Sequence, residues 1–177
     1  HRRIQSLQEE LVQIAKRREN LRARREKDGI ETVAIVGYTN AGKSTLMNTL
    51  TNAGVLAENK LFATLDPTSR ALTLPDGRTV MLIDTVGLVR RLPHQLVDAF
   101  RSTLEEAANA TVILNLCDAS DECCTEHLNV TMNLLAALGC ADKPIISVLN
   151  KCDLCGGSFV LPAQGEFVMI SAKTGEG

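Results

Sequence analysis

The sequence predicts an α/β protein: a doubly wound, mostly parallel sheet with one antiparallel hairpin, preceded by an N-terminal amphipathic helix. Three observations predict it. From residue 30 onward, short apolar β-branched runs alternate with helix-period runs, the pattern of strands crossing over through helices. Two of the strand runs are joined by Pro75-Asp76-Gly77-Arg78, whose Asp-Gly pair suits a tight turn between antiparallel strands. The first strand and first helix meet through a glycine-rich joint, Gly37 to Thr45, rather than an ordinary loop.

Taken in order, residues 1–28 stand apart. Ile4, Leu7, Leu11, Ile14 and Leu21 fall on one stripe at three- and four-residue steps, with Arg18 where the stripe would be completed. The other faces carry Lys16, Arg17, Arg22, Arg24, Arg25 and Lys27, and Gly29 ends the helix. A stripe this narrow needs a partner surface. The basic face is read either as simple solvation or as a contact with RNA phosphates. With no Trp and with Tyr38 the one tyrosine, a base-stacking platform is not expected.

Strand 32–36 follows, then a helix to about 53 and a loop over 54–70. Ala71–Leu74 and Thr79–Asp84 form the hairpin, and a loop with a helix runs from Thr85 to about Ala108. Strand Thr111–Cys117, a helix within 124–138, and strands Ile145–Leu149 and Phe167–Ile170 complete the alternation. Only Leu154 to Glu166 separates the last two strands, too little for a full helix and its loops, and the closing helix that the alternation predicts is missing. The chain begins at His1 rather than Met, so it reads as a fragment: the end of one domain over 1–29 and a main domain over 30–177 that lacks its final helix.

Composition narrows the class. A length of 177 residues, 45% hydrophobic and 23% charged, reads as a soluble globular domain with a sizeable core. The net charge of −2 neither favours nor excludes nucleic acid. No run approaches the roughly twenty apolar residues of a membrane helix. The six cysteines fall largely inside strand and helix patterns and no secretory segment is visible, so they read as reduced cytoplasmic thiols. Cys152 and Cys155 make a C-x-x-C without the second pair that a zinc site needs, and Cys123 and Cys124 read as helix residues. His94 and His127 read as surface or packed histidines rather than ligands or bases.

The chemistry sits at the carboxyl ends of the strands, where ligands of such sheets bind. Gly37-Tyr38-Thr39-Asn40-Ala41-Gly42-Lys43-Ser44-Thr45 is a G-x-x-x-x-G-K-S phosphate loop in its strand–loop–helix context. Its glycines let successive N–H groups point at an anion, and the helix end adds its dipole. Lys43 is suited to the outer phosphates and the Ser44 hydroxyl to Mg²⁺. Asp84-Thr85-Val86-Gly87 is a D-x-x-G after a buried-type strand: Asp84 for a water-mediated hold on Mg²⁺, and the Gly87 N–H for the γ-phosphate. Asn150-Lys151-Cys152-Asp153 follows another strand and resembles a known guanine-reading motif, N-K-x-D. A carboxylate at Asp153 can accept from both N1–H and the 2-amino group of guanine. Adenine would leave it unpaired, a mismatch that costs roughly 10⁴-fold or more in comparable sites. Three such motifs in this order exclude an ATPase or small-molecule kinase.

Asn150 to Asp153 resembles the N-K-x-D guanine-reading motif of the Ras-like P-loop GTPase superfamily. In that resemblance Asn150 supports the loop and base, the Lys151 stem lies over the base, and a backbone N–H of Ser171-Ala172-Lys173 reads the guanine oxygen. The loops resemble one branch, the HflX family, through Gly37 to Leu46, through Leu61-Phe62-Ala63-Thr64-Leu65-Asp66-Pro67-Thr68, and through Leu92 to Glu106. The likeness covers residues 30–153, and the Arg-rich helix resembles the end of that family's N-terminal domain. It implies GTP hydrolysis to GDP and phosphate with Mg²⁺, nucleotide contacts from Phe62 to Asp66, and Thr64 as the switch threonine on Mg²⁺ and the γ-phosphate. Thr68 is the competing candidate. It also implies a monomer that binds the large ribosomal subunit and splits or rescues stalled ribosomes. Where the best-known Ras-like enzymes carry a water-orienting glutamine, this chain has Leu88, so slow intrinsic hydrolysis is expected. Asn40 resembles the asparagine with which related GTPases hold K⁺; the plainer reading is a residue that shapes the loop. Two rival functions remain, a GTP-dependent binding switch with negligible turnover and a tRNA-modification or ribosome-assembly GTPase.

Overall fold

The computed structural model describes residues 12–13, 16–17, 19–20, 23, 27, 29–51, 68–85, 87–88, 104–156 and 167–177. The chain divides into two compact units, His1–Glu31 and Thr32–Gly177. In the first, Val12, Gln13, Lys16, Arg17, Glu19, Asn20, Ala23 and Lys27 are helical and exposed. Gly29 then takes φ 63°, the left-handed turn that commonly closes a helix. The apolar stripe itself lies outside the described residues.

The second unit is built on one sheet. Its strands are β1 (Thr32–Gly37), β2 (Thr68–Thr73), β3 (Thr79–Asp84), β4 (Val112–Asp118), β5 (Ile145–Asn150) and β6 (Phe167–Met169), in the order β2-β3-β1-β4-β5-β6. Only β2 runs antiparallel, against β3; the other pairings are parallel. Gly77 at φ 86° makes the expected hairpin turn, with the Leu74 N–H donating to the Arg78 carbonyl. The helices are α1 (Lys43–Thr51), α2 (residues 104–109) and α3 (Cys124–Ala137).

β1 is buried on both faces, which is why it reads as an unbroken apolar run. Its Ile35 packs with Leu46 and Met47 of α1, Leu82 and Leu116, while Ala34 and Val36 meet Ala107, Ile113 and Leu135 on the other face. Along α3, Cys124, Leu128, Thr131 and Leu135 recur at helical spacing and are buried. These contacts fix the carboxyl edge of the sheet, where Gly37, Asp84, Asp118 and Asn150 each end a strand.

One boundary differs from expectation. The loop assigned to 54–70 gives way at Thr68, where β2 begins three residues before Ala71. Thr68, Ser69 and Arg70 pair with Asp84, Ile83 and Leu82. An edge strand bonds through its backbone, so an available neighbour outweighs the weak strand character of Ser and Arg. The short segment before β6 falls mostly outside the described residues.

Candidate nucleotide-binding site

From Gly37 the chain turns over the sheet edge and enters α1 at Lys43. Gly42 stands at φ 95°, and a Cβ there would run into the Asn150 amide; a Cβ on Gly37 would run into the Leu116 carbonyl. Close neighbours as well as backbone conformation therefore demand glycine. Between them Asn40 is exposed at φ 63°, a left-handed position that asparagine tolerates better than most residues. Ala41 is buried beneath the loop.

Lys43 folds back under this loop. Its Nζ donates to the carbonyls of Gly37 at 3.2 Å and Tyr38 at 2.9 Å. Burial holds the ammonium down to about 8, against an opposing pull from the Asp84 carboxylate. Next to it, Ser44 Oγ donates to Asp84 Oδ2 at 2.7 Å, joining the start of α1 to the end of β3. A hydroxyl and a carboxylate are hard oxygen donors of the kind Mg²⁺ takes, so these residues fit that ion. Thr45 is half-buried in the first turn of α1.

After Asp84 the chain returns across the phosphate loop. The Thr85 hydroxyl donates to the Ile35 carbonyl at 2.7 Å, which commits that side chain to the sheet. Gly87 lies flat on the loop: a Cβ there would sit 2.8 Å from Thr39 Cα and 3.0 Å from Lys43 Nζ. Leu88 locks the approach. Its N–H donates to the Gly37 carbonyl at 3.0 Å and its carbonyl accepts from the Thr39 N–H at 2.9 Å. The Leu88 side chain is buried with Tyr38 and Leu104.

On the far side of the loop, Asn150 is buried and used at both ends. Its Nδ2 donates to the Ala41 carbonyl at 2.9 Å, and its Oδ1 accepts from the Ala172 N–H at 2.8 Å. Lys151 adopts φ 66° and its Nζ meets Asp118 Oδ2 at 2.6 Å. Asp153 Oδ1 accepts from Ser171 Oγ at 2.7 Å, and the Thr174 N–H donates to that same hydroxyl. The Ala172 carbonyl accepts from Thr49 Oγ1 of α1 at 2.5 Å, while Lys173 is exposed. The structure thus gathers Gly37–Thr45, Asp84, Gly87, Asn150, Asp153 and Ser171–Ala172 at one edge. Phe62, Ala63, Thr64, Leu65, Asp66, Val86 and His94 lie outside the described residues. Thr68, the alternative switch threonine, opens β2 opposite Asp84.

Residues 32–151 match the family model described as a 50S ribosome-binding GTPase. The chain is 50% identical to the GTPase HflX of Lacrimispora saccharolytica over 179 residues, covering 100% of this chain and 42% of that protein. Against the Escherichia coli K12 GTPase HflX it is 44% identical over 152 residues, covering 86% and 36%. The chain belongs to the HflX family of GTPases. It spans less than half the length of these curated relatives. Among solved structures it resembles Aquifex aeolicus Era bound to GDP·AlF4⁻, with a TM-score of 0.69 and 26% identity over 83% of this chain and 52% of that one. A GTP-binding protein of Sulfolobus solfataricus in complex with GDP gives 0.67 and 29%, over 93% and 55%. These likenesses accord with the Ras-like architecture of the second unit.

Around the HflX motifs the structure adds three residues that sequence reasoning missed. Asp118 ends β4 at the ligand edge and fixes Lys151; the strand-end rule applied to β4 would have found it. Thr49 ties α1 to the Ser171–Lys173 turn, and nothing in its sequence context signals that. His127, read as a packed or surface histidine, is half-buried in α3 and stacks on Tyr38, with ring centroids 3.9 Å apart and planes 19° from parallel. Cys152 occupies the variable position of N-K-x-D, and Cys155 caps the turn that follows. Among the described residues, no group of three or more His, Cys, Asp or Glu is placed to hold a metal ion, and no helix is long and apolar enough to cross a membrane.

Proposed function

We propose that this chain is the catalytic part of an HflX-type enzyme that hydrolyses GTP to GDP and phosphate, slowly when alone, and acts at the large ribosomal subunit. One observation carries the reading. Asn150 bonds both the phosphate loop and the turn at Ala172, so the carboxylate of Asp153 and the ammonium of Lys43 belong to one pocket. In it, the two oxygens of Asp153 accept from guanine N1–H and the 2-amino group, and Oδ1 also accepts from the Ser171 hydroxyl. The Lys151 stem covers the base, steadied by Asp118. Because the Ala172 N–H is taken by Asn150, the neighbouring Lys173 N–H is left to read the guanine oxygen.

Lys43 faces the outer phosphates, and the phosphate charge draws its lowered pKa back up. Ser44 and Thr64, with Asp84 through water, would hold Mg²⁺, which offsets charge on the transferred phosphoryl group. The Gly87 N–H donates to the γ-phosphate, next to Lys43 Nζ. Leu88 is buried and apolar, so it orients no water and the intrinsic rate is low. Exposed Asn40 is placed to help hold K⁺, although its left-handed backbone equally fits a loop-shaping role. The family description supports the ribosomal partner, and Era crystallised with MgGDPNP and 16S rRNA nucleotides supports Mg²⁺. The basic face of residues 1–29 is assigned to rRNA, and the whole protein to the cytoplasm as a monomer.

The test is GTP turnover by the full-length protein in K⁺ and in Na⁺ buffer, with and without purified large subunits. Stimulation well above the intrinsic rate is the expected result. Equal rates in both salts would remove K⁺. Guanine binding without stimulation would turn the reading toward a binding switch or a tRNA-modification or ribosome-assembly GTPase.

A further inference from the structure

Tyr38 meets the machinery through its backbone. Its carbonyl accepts from Lys43 Nζ, its backbone bridges Leu88, and its ring leaves the loop to pack against Leu88 and Leu104. One face of that ring is covered by the imidazole of His127, nearly parallel to it. His127 is held in turn. Its Nδ1 lies 3.6 Å from Asp121 Oδ2, and the other oxygen of Asp121 accepts from the Cys123 N–H just before α3. α3 itself is pinned to the sheet by Leu128, Thr131 and Leu135, and by Asn115 Nδ2 of β4, which donates to the Leu128 carbonyl. A rigid element thus presents a flat aromatic surface to the first residue after Gly37.

We infer that His127 is a positioning residue: by stacking on Tyr38 it sets the phosphate-loop carbonyl that holds Lys43 and the backbone bridge that lays Gly87 on the loop. The inference rests on the nucleotide-site reading above. Stacked rings resist tilting and sliding, because contact is lost over the whole face at once. Tilting Tyr38 would carry its carbonyl away from Lys43 Nζ and loosen the Leu88 bridge. Both effects fall on the γ-phosphate side of the pocket. On the base side, Asp153 and Ser171 bond to one another, while Asn150 reaches the loop one step away, at Ala41, whose N–H donates to the Tyr38 carbonyl.

The experiment compares His127→Ala and His127→Phe with wild type in the full-length protein. It measures kcat and KM for GTP, and the Kd of GDP and of a non-hydrolysable GTP analogue. His127→Ala should lower kcat by roughly three- to tenfold, the scale of one lost aromatic pair, and weaken the analogue more than GDP. His127→Phe keeps a flat ring and should restore both. Unchanged kcat and analogue affinity in His127→Ala would overturn the inference. So would equal weakening of GDP and analogue, or a His127→Phe variant no better than alanine. If wild type binds guanine nucleotides without hydrolysing them, the turnover reading fails while the analogue-to-GDP ratio still decides the role of His127.

Discussion

Asn150 joins two loops with one amide. Truncating it to alanine would leave the Ala41 carbonyl and the Ala172 N–H facing each other across a buried gap. Each stranded group costs about 1–3 kcal/mol, so Asn150→Ala should lower unfolding free energy by roughly 2–6 kcal/mol. Urea denaturation of the nucleotide-free protein measures it directly. A loss under 1 kcal/mol would mean that water replaces the amide and that the loops are held by something else. The variant should also lose guanine nucleotide, because Asp153 and Lys43 would no longer share a frame.

After β3, the D-x-x-G turn lies against the phosphate loop at Thr39 and Lys43. Gly87→Ala places a methyl 2.8 Å from the backbone Cα of Thr39 and against the Thr39 methyl and Lys43 Nζ, and the Thr39 backbone resists it. The turn must lift, taking its N–H from the γ-phosphate. Loss of one such donor costs on the order of a hundredfold in rate, so single-turnover GTP hydrolysis should fall by about that factor. A rate within twofold of wild type would show that Gly87 does not deliver that bond. At this scale much was legible beforehand. β1, β3, β4 and β5 read clearly because buried parallel strands are continuous apolar runs, and the hairpin announced itself through Asp76-Gly77. The start of β2 did not, since Ser69 and Arg70 owe their strand geometry to β3. The grouping of Lys43, Ser44, Asp84, Asn150 and Asp153 at one sheet edge was readable because the motifs that carry them each follow a strand. Asp118 was readable only as the end of a strand, and the contacts of Thr49 and His127 were not readable at all. Their partners, Lys151, Ala172 and Tyr38, are 33, 123 and 89 positions away, and only the fold brings them together.

At the scale of the whole molecule, every pocket residue among those described belongs to the unit Thr32–Gly177. Removing residues 1–31 should therefore leave GDP affinity within about twofold, well under the tenfold that 1.4 kcal/mol would bring. Isothermal titration of the shortened and complete chains compares them. A large loss would show that the first unit completes the pocket rather than serving a separate surface. The same division bears on the ribosome experiment, because loss of subunit stimulation with intact nucleotide binding would place the docking role in residues 1–31. The Asn150 amide has one more consequence at this scale. With the base-side turn and the phosphate-side loop fastened by the same side chain, the two rims of the pocket are mechanically joined, and the Thr49 bond to Ala172 adds a second tie from α1. A partner that pulls on either rim should therefore loosen nucleotide at the other.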